Sequence, residues 1–180
     1  MLILALPHTA HAATSTGYAH VHSDGHSVLR SATGMAATLS AHAGEVVAVV
    51  PHSRLSWLQV HLPPASHGTR LHTVLQGLLE DRLLDDPTQL HLALPPHAHA
   101  VARTGGALLV AACDKTWLRA VLAPLQEAGL TVQRLVPELA PSATPTLHVM
   151  GEPDQAHSVL CHAQGVTALP PNVAQWHAFA

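Results

Sequence analysis

The sequence predicts an α/β fold in which a mixed sheet with a few flanking helices is followed by the start of a second unit. Short apolar runs of strand length recur from residue 2, and the apolar period changes to that of a helix near residue 67. A new set of strand-like runs follows a proline-rich stretch late in the chain. With 180 residues, 48% apolar and 11% charged, the chain has a globular composition and can bury a core.

The first half of the chain is predicted to be rich in strands. Leu2–Leu6 is a buried strand by composition, and the polar segment His8–Gly17 is predicted to be a loop. Two hairpins follow in this interpretation, the first of them joined by the strong turn signal Asp24-Gly25 and the second by residues 51–54. The strands of these two predicted hairpins are Tyr18–His22 with Ser27–Ser31, and Glu45–Val50 with Leu55–Leu62.

Leucines at helical spacing predict an amphipathic helix that begins near His67. Asp86-Pro87 ends it, because the residue before a proline is pushed out of the α region. Strands are predicted to follow, and the third of them is apolar on both faces, as a central strand would be. Their predicted bounds are Leu90–Leu94, His97–Arg103 and Ala107–Ala112.

A second helix is predicted after Asp114, which is placed to act as its N-cap, and Gly129 is placed to act as its C′ residue. Pro124 lies inside this helix. Because an interior proline removes a backbone hydrogen bond and costs about 3 kcal/mol, we expect a kink or a split near Ala123. Thr131–Val136 is predicted to return to strand.

The proline-rich segment Pro137–Thr146 divides the chain in this interpretation. Residues 1–138 are predicted to form a first lobe, 139–146 a linker, and 147–180 the start of a second, incomplete lobe. The second lobe would contain a short final helix capped by Asn172. Its predicted strands are Leu147–Met150, Ser158–Cys161 and Val166–Leu169.

Composition excludes several classes of function. A formal net charge of −3 gives no basic surface for DNA or RNA, so no nucleic acid is predicted as a partner. The two cysteines, Cys113 and Cys161, are far apart and are predicted to be buried thiols. The chain contains no run of about 18 apolar residues, so we expect it to be soluble without a transmembrane segment.

The residues that a nucleotide-hydrolysing enzyme needs are missing from the expected places. Leu2–Leu6 carries no carboxylate to hold a metal ion, and the loop that follows lacks the repeated glycines of a phosphate cradle. Gly151 and Asp154 are residues of the required kinds in the second predicted unit, but Pro153 between them removes a backbone N–H donor for a phosphate. We therefore predict no catalytic and no cofactor-binding residues, and a nucleotide-dependent ATPase remains the alternative.

Seventeen histidines make a metal-binding protein a further alternative. His20 and His22, like His97 and His99, would lie on one face if each pair were on a strand, as two metal ligands would. Neither pair has a third donor at a ligand spacing. No metal site is therefore predicted, and scattered surface histidine is the preferred interpretation.

An acidic stretch closes the first predicted helix. The helix dipole disfavours anions at this end, so helix stability does not account for the acids. They are either a solvated helix end or a partner-binding patch in which acids beside apolar side chains steer a basic partner. The predicted patch comprises Glu80, Asp81, Arg82, Leu83, Leu84, Asp85 and Asp86.

The order of these segments resembles a known family. "VVAVVPHSRLSWLQVHLPP", "LLEDRLLDDPTQLHLAL" and "LLVAACDKTWLRAVLAPLQEAGLTVQRLVPEL" are similar, over about Val46 to Leu139, to the cytoplasmic domain of protein L of the bacterial type II secretion system. The resemblance implies a degenerate actin-like, ribonuclease-H-like fold without ATPase activity. The family continues into a transmembrane helix and a periplasmic domain, so we expect this sequence to be a fragment or a truncated relative.

The same resemblance implies a role and a set of partners. The protein would be a non-enzymatic adaptor on the cytoplasmic face of the bacterial inner membrane. It would recruit the secretion ATPase, protein E, through that protein's N-terminal domain. It would meet protein M and the inner-membrane platform protein F through the full-length protein, and a homodimer is a further expectation.

Overall fold

A computed structural model describes residues 1–39, 44–66, 68, 70–80, 86–151 and 156–169. The chain divides into two compact units, Met1–Leu55 with Cys113–Glu138, and Ser56–Ala112 with Leu139–Ala180. The predicted division into a lobe of residues 1–138, a linker of 139–146 and a second lobe from 147 rests on the proline-rich segment in the sequence, and it stays a prediction. The predicted final helix at Asn172 lies outside the described residues.

Strands and helices of the described residues are numbered here in chain order. The strands are β1 Leu2–Ala5, β2 Tyr18–Ser23, β3 Val28–Gly34, β4 Val46–Val50, β5 Ser56–Leu62, β6 Leu90–Ala93, β7 Gly106–Asp114, β8 Arg134–Pro137, β9 Thr146–Met150, β10 His157–His162 and β11 Gly165–Leu169. The α-helices are α1 Ala10–Ser15, α2 Ala36–Leu39, α3 Arg70–Glu80, α4 Ala98–Thr104 and α5 Lys115–Glu127.

A five-stranded mixed sheet in the order β3-β2-β1-β4-β8 organises the first unit. Strands β1, β4 and β8 are parallel, whereas β2 is antiparallel to both β1 and β3. The predicted hairpin of β2 and β3 is confirmed, and the carboxylate of Asp24 accepts hydrogen bonds from the backbone N–H groups of His26 and Ser27 in its turn.

One face of this sheet packs on helices to form the core of the first unit. Leu2 and Leu4 of β1 are fully buried, as is Val121 of α5. Asp114 caps α5 as predicted, because its carboxylate accepts a 2.6 Å hydrogen bond from the backbone N–H of Trp117. Gly129 follows the helix at φ +78°, a backbone conformation that favours glycine, so its predicted role is also confirmed.

The second unit contains two three-stranded sheets, in the orders β5-β7-β6 and β11-β10-β9. The predicted central position of the apolar strand β7 is confirmed. Its side chains join those of α3 and α4 in a second core that includes Leu75, Leu79 and Val110. The β11-β10-β9 meander repeats the strand order and antiparallel pairing of β3-β2-β1.

Four local predictions are wrong, each for a physical reason. The segment predicted as a loop at 8–17 contains α1, because the hydroxyl of Thr9 caps an alanine-rich turn by accepting from the backbone N–H of Ala12. The proposed pairing of residues 45–50 with 55–62 does not occur. β4 is apolar on both faces and pairs in parallel with β1 and β8, whereas β5 pairs with β7.

The other two errors concern helices. The run predicted as a strand at 97–103 is helix α4, in which Ala98 and Ala102 are buried one turn apart. The prediction was wrong because histidine and alanine alternate here with the two-residue period that is typical of a strand. Helix α5 is not split at Pro124 but continues to Glu127. The packing of its apolar face outweighs the cost of the interior proline.

Candidate functional site

The structure describes only the two ends of the acidic stretch that was predicted to bind a partner. Glu80 is exposed at the last position of α3. Asp86 accepts a 2.8 Å hydrogen bond from the backbone N–H of Thr88 and caps a 3₁₀ turn over Pro87–Gln89. The other members, Asp81, Arg82, Leu83, Leu84 and Asp85, lie outside the described residues, so the patch stays a prediction.

A second cluster of polar side chains lies at the carboxyl edge of the parallel strands. A proline follows or ends each of these strands and is itself followed by a polar residue. The three pairs are Pro7-His8 after β1, Pro51-His52 after β4, and Pro137-Glu138 at the end of β8. Proline has no N–H group to donate to a neighbouring strand, so the three parallel strands end within about one residue of each other in register, and the polar residues that follow lie at one edge of the sheet.

His52 and Glu138 form the centre of this cluster. One carboxylate oxygen of Glu138 lies 2.8 Å from Nδ1 of His52 and 3.0 Å from its backbone nitrogen. Burial raises the pKa of the Glu138 carboxyl, but the two hydrogen bonds from His52 and the nearby His8 outweigh that effect, so its pKa lies below the ordinary value. Glu138 is therefore held as a carboxylate.

His8, Ser53 and Arg54 complete the cluster. Nδ1 of His8 lies 2.9 Å from the hydroxyl of Ser53, and the guanidinium of Arg54 donates to the backbone carbonyl of His8. The guanidinium also lies over the ring of Trp117, 5.5 Å from its centroid, in the geometry of a cation–π contact. We call His8, His52, Ser53, Arg54 and Glu138 the edge cluster.

The edge cluster was missed by reasoning from the sequence, although its signal was present. Each strand-like run was recognised, but β4 was assigned to a hairpin instead of to the middle of a parallel sheet. Once β1, β4 and β8 are known to be parallel, the repeated order of apolar run, proline and polar residue places their ends together. Sequence spacing alone could not supply that topology.

The polar groups of the edge cluster form hydrogen bonds and contacts with one another and with neighbouring groups of the first unit. Glu138 accepts from His52, His8 contacts Ser53, and Arg54 engages a carbonyl and an aromatic ring. Within the described ranges, no group of three or more histidine, cysteine or acidic side chains is arranged to hold a metal ion. The arrangement orients the strand ends and pins the loops after β1 and β4.

The histidine pairs differ from each other. His20 and His22 share one face of β2, with ring centroids 5.6 Å apart. His97 occupies the position before α4 without a side-chain capping bond, and His99 lies inside the helix, so the expectation that this pair shares the face of a strand is wrong.

Both cysteines are buried free thiols, as predicted. Burial, aided by the adjacent Asp114, raises the pKa of the Cys113 thiol to about 11, and burial also raises that of Cys161. Because the thiolate is the reactive form, neither cysteine is activated as a nucleophile.

Two solved structures resemble the fold. The cytoplasmic domain of EpsL, an inner-membrane component of the type II secretion system of Vibrio cholerae, has a TM-score of 0.66 at 20% identity, over 99% of this chain and 73% of that one. A chain of the PilM-PilN type IV pilus biogenesis complex has a TM-score of 0.54 at 13% identity, over 98% of this chain and 63% of that one. The predicted fold class, an actin-like and ribonuclease-H-like mixed sheet with flanking helices, is confirmed.

Sequence comparison identifies the family. No curated protein sequence matches the chain significantly. In the described part of the chain, no helix is both long and apolar enough to cross a membrane. The family model for protein L of the type II secretion system matches residues 2–145, which is most of the chain. The protein therefore belongs to the protein L family of the type II secretion system.

Proposed function

We propose that the chain is a non-enzymatic adaptor that recruits the secretion ATPase, protein E, to the cytoplasmic face of the inner membrane. Protein M and the platform protein F would meet it through the full-length protein. Family membership supports a place in the secretion apparatus. The adaptor role, the named partners and the location are what the proposal adds.

The observation that carries the non-enzymatic part is the edge cluster. Ligands of open α/β sheets bind beyond the carboxyl ends of the parallel strands. At this edge one carboxylate oxygen of Glu138 accepts two hydrogen bonds from His52. The guanidinium of Arg54 donates to the carbonyl of His8 and lies over the ring of Trp117. An edge that is closed by its own side chains suits a scaffold better than a nucleotide site.

The proposed contact with the ATPase is the acidic stretch from Glu80 to Asp86. Glu80 is exposed, so its carboxylate is available to a basic partner. Charges at the rim of an interface mainly raise the association rate and weaken with added salt. The patch would therefore steer the complex, while neighbouring leucines supply contact area.

Binding of this chain to the N-terminal domain of the secretion ATPase, measured by titration calorimetry, tests the proposal. The double variant Glu80→Lys and Asp81→Lys should weaken binding about tenfold at 50 mM salt and less at 500 mM, since screening shortens the range of the charges. Glu127→Lys is the matched control for the single variant Glu80→Lys, because both are exposed acids at the last position of a helix and the change in charge is the same.

The possible outcomes separate the two parts of the proposal. Absence of binding between the two folded proteins would overturn the adaptor role. Unchanged affinity of the double variant at both salt concentrations would instead leave the adaptor intact and remove the acidic patch from it. Equal weakening by Glu80→Lys and by Glu127→Lys would show an effect of net charge alone.

A further inference from the structure

The two edges of the five-stranded sheet are built differently. β8 is four residues long, ends at Pro137, and its Arg134 lies 3.4 Å from the carboxylate of Glu45. Short length, proline and charge are devices that keep a sheet edge from pairing. β3 is seven residues long and contains no proline, and its Val28 and Leu29 are 64% and 66% exposed. Of the strands described, only β2 pairs with β3.

A polar cavity of about 300 Å³ lies beside this open edge. Its lining includes His20 and His22 from β2, and Arg30 and Thr33 from β3. Arg30 lies directly across from His22 in the antiparallel register. Among the described residues of the lining there is no carboxylate, so the guanidinium gives this part of the cavity a positive charge.

Arg30 gives this cavity its charge, and the buried ring of His20 forms part of its wall. The side chain of His20 is 9% exposed, and its Nδ1 lies 3.2 Å from the carbonyl oxygen of Tyr18. A carbonyl can only accept, so Nδ1 carries a hydrogen. The planar guanidinium of Arg30 can bind a carboxylate through two parallel hydrogen bonds, so an acidic side chain fits this cavity.

We propose that an extended, acidic segment of a partner protein adds to β3 as a new strand and places a carboxylate in this cavity. Backbone hydrogen bonds along β3 would provide affinity, and the cavity would select a side chain at one position. The inference does not rest on recruitment of the ATPase, because the surface belongs to the first unit and the acidic stretch at Glu80 to the second.

A second copy of the chain is a poorer occupant. Residues Val28–Gly34 contain no acidic side chain, so pairing β3 with another β3 brings a second Arg30 and no carboxylate. Self-association would cover the exposed Val28 and Leu29 but leave the cavity empty of an anion. Charge complementarity therefore favours a different, acidic protein segment.

Nuclear magnetic resonance titration of the ¹⁵N-labelled chain tests the proposal. The probe is a seven-residue peptide that alternates threonine and valine around one central glutamate, and its control carries glutamine at that position. The glutamate peptide should shift the amide signals of Val28–Gly34, and its dissociation constant should rise about tenfold or more in Arg30→Gln, because a charge-assisted hydrogen bond is lost. Arg119→Gln, a matched change at an exposed arginine on α5, should bind like wild type.

Two controls make the test decisive. In an extended peptide, alternate N–H groups point to opposite sides, and only one side can pair with β3. If the peptide adds as a strand, methylation of the nitrogens on that side should abolish binding, whereas methylation of those on the other side should not. Arg30 is exposed, so its replacement should leave the melting temperature unchanged. Failure of the glutamate peptide to bind, or equal affinity for Arg30→Gln, overturns the proposal.

Other occupants would give other results. Shifts caused by inorganic phosphate alone, without peptide binding, would make the cavity a small-anion site and refute strand addition. A dimer in sedimentation equilibrium that Leu29→Lys dissociates would assign the edge to a second copy. Either result overturns the proposal.

Discussion

The hydroxyl of Tyr18 donates a 2.6 Å hydrogen bond to the backbone carbonyl of Val121, which joins β2 to helix α5. Val121 lies in the turn that precedes Pro124, where the proline has removed a backbone donor. Both residues are fully buried. The bond ties the proline-containing helix to the sheet.

Tyr18→Phe should destabilise the protein by about 0.5–1.5 kcal/mol, because the buried hydrogen bond from Tyr18 to Val121 is lost with little change in packing. Urea unfolding followed by circular dichroism measures this change. Burial raises the pKa of Tyr18 to about 12. The unfolded phenol ionises near 10, so the contribution of Tyr18 is complete below pH 10 and is lost as the pH rises towards 12. The difference between wild type and Tyr18→Phe should shrink over that interval; a constant difference would contradict the pKa shift.

Gly17→Ala should be among the most damaging small substitutions in the first unit. An added Cβ would lie 2.3 Å from the carbonyl oxygen of Gly34, and Gly17 has a φ of +84°. Steric overlap and a left-handed backbone both oppose alanine, so we expect a loss of at least about 2 kcal/mol. Gly77→Ala is the matched control, because the space around Gly77 in α3 is open, and it should stabilise by about 0.5–1 kcal/mol. Thermal melts of both variants check the contrast.

Sequence patterns correctly predicted the elements that are determined by residues close to them in the chain. The turn at Asp24-Gly25 and the cap at Asp114 are set by nearby residues, and both were found. The pairing of β4 was missed because adjacency in sequence favours a hairpin, whereas burial on both faces places β4 between two parallel strands. The edge cluster depends on that pairing, so it could not be derived before the topology was known.

Glu138→Gln should destabilise the first unit near neutral pH by about 0.5–1.5 kcal/mol, because the charge-assisted bonds from His52 are weakened while the shape of the side chain is kept. The pKa of Glu138 is lowered from its ordinary value of 4.5. Its contribution is therefore present above that value and is lost as the pH falls through the folded-state pKa. Unfolding free energies of wild type and Glu138→Gln should converge in acid.

Glu45→Gln is the matched control for this experiment. Glu45 is also an acid of the first unit, but its contact with Arg134 is longer, at 3.4 Å, and both side chains are well exposed. Exposed ion pairs contribute little, so its effect should stay below about 0.5 kcal/mol. Equal effects of the two substitutions would show that the hydrogen bonds between Glu138 and His52 stabilise the protein no more than an exposed ion pair does.

Magnesium-ATP should leave the melting temperature of the chain unchanged if the edge cluster closes the carboxyl edge of the parallel strands. A ligand that binds only the folded state stabilises it by about 2.7 kcal/mol at one hundred times its dissociation constant. At 5 mM nucleotide, a site with a dissociation constant near 50 μM would therefore raise the melting temperature by several degrees. Magnesium with sodium sulfate at equal ionic strength is the control for general salt effects. A rise with magnesium-ATP that Arg54→Gln abolishes would assign nucleotide binding to this edge and contradict the proposed scaffold.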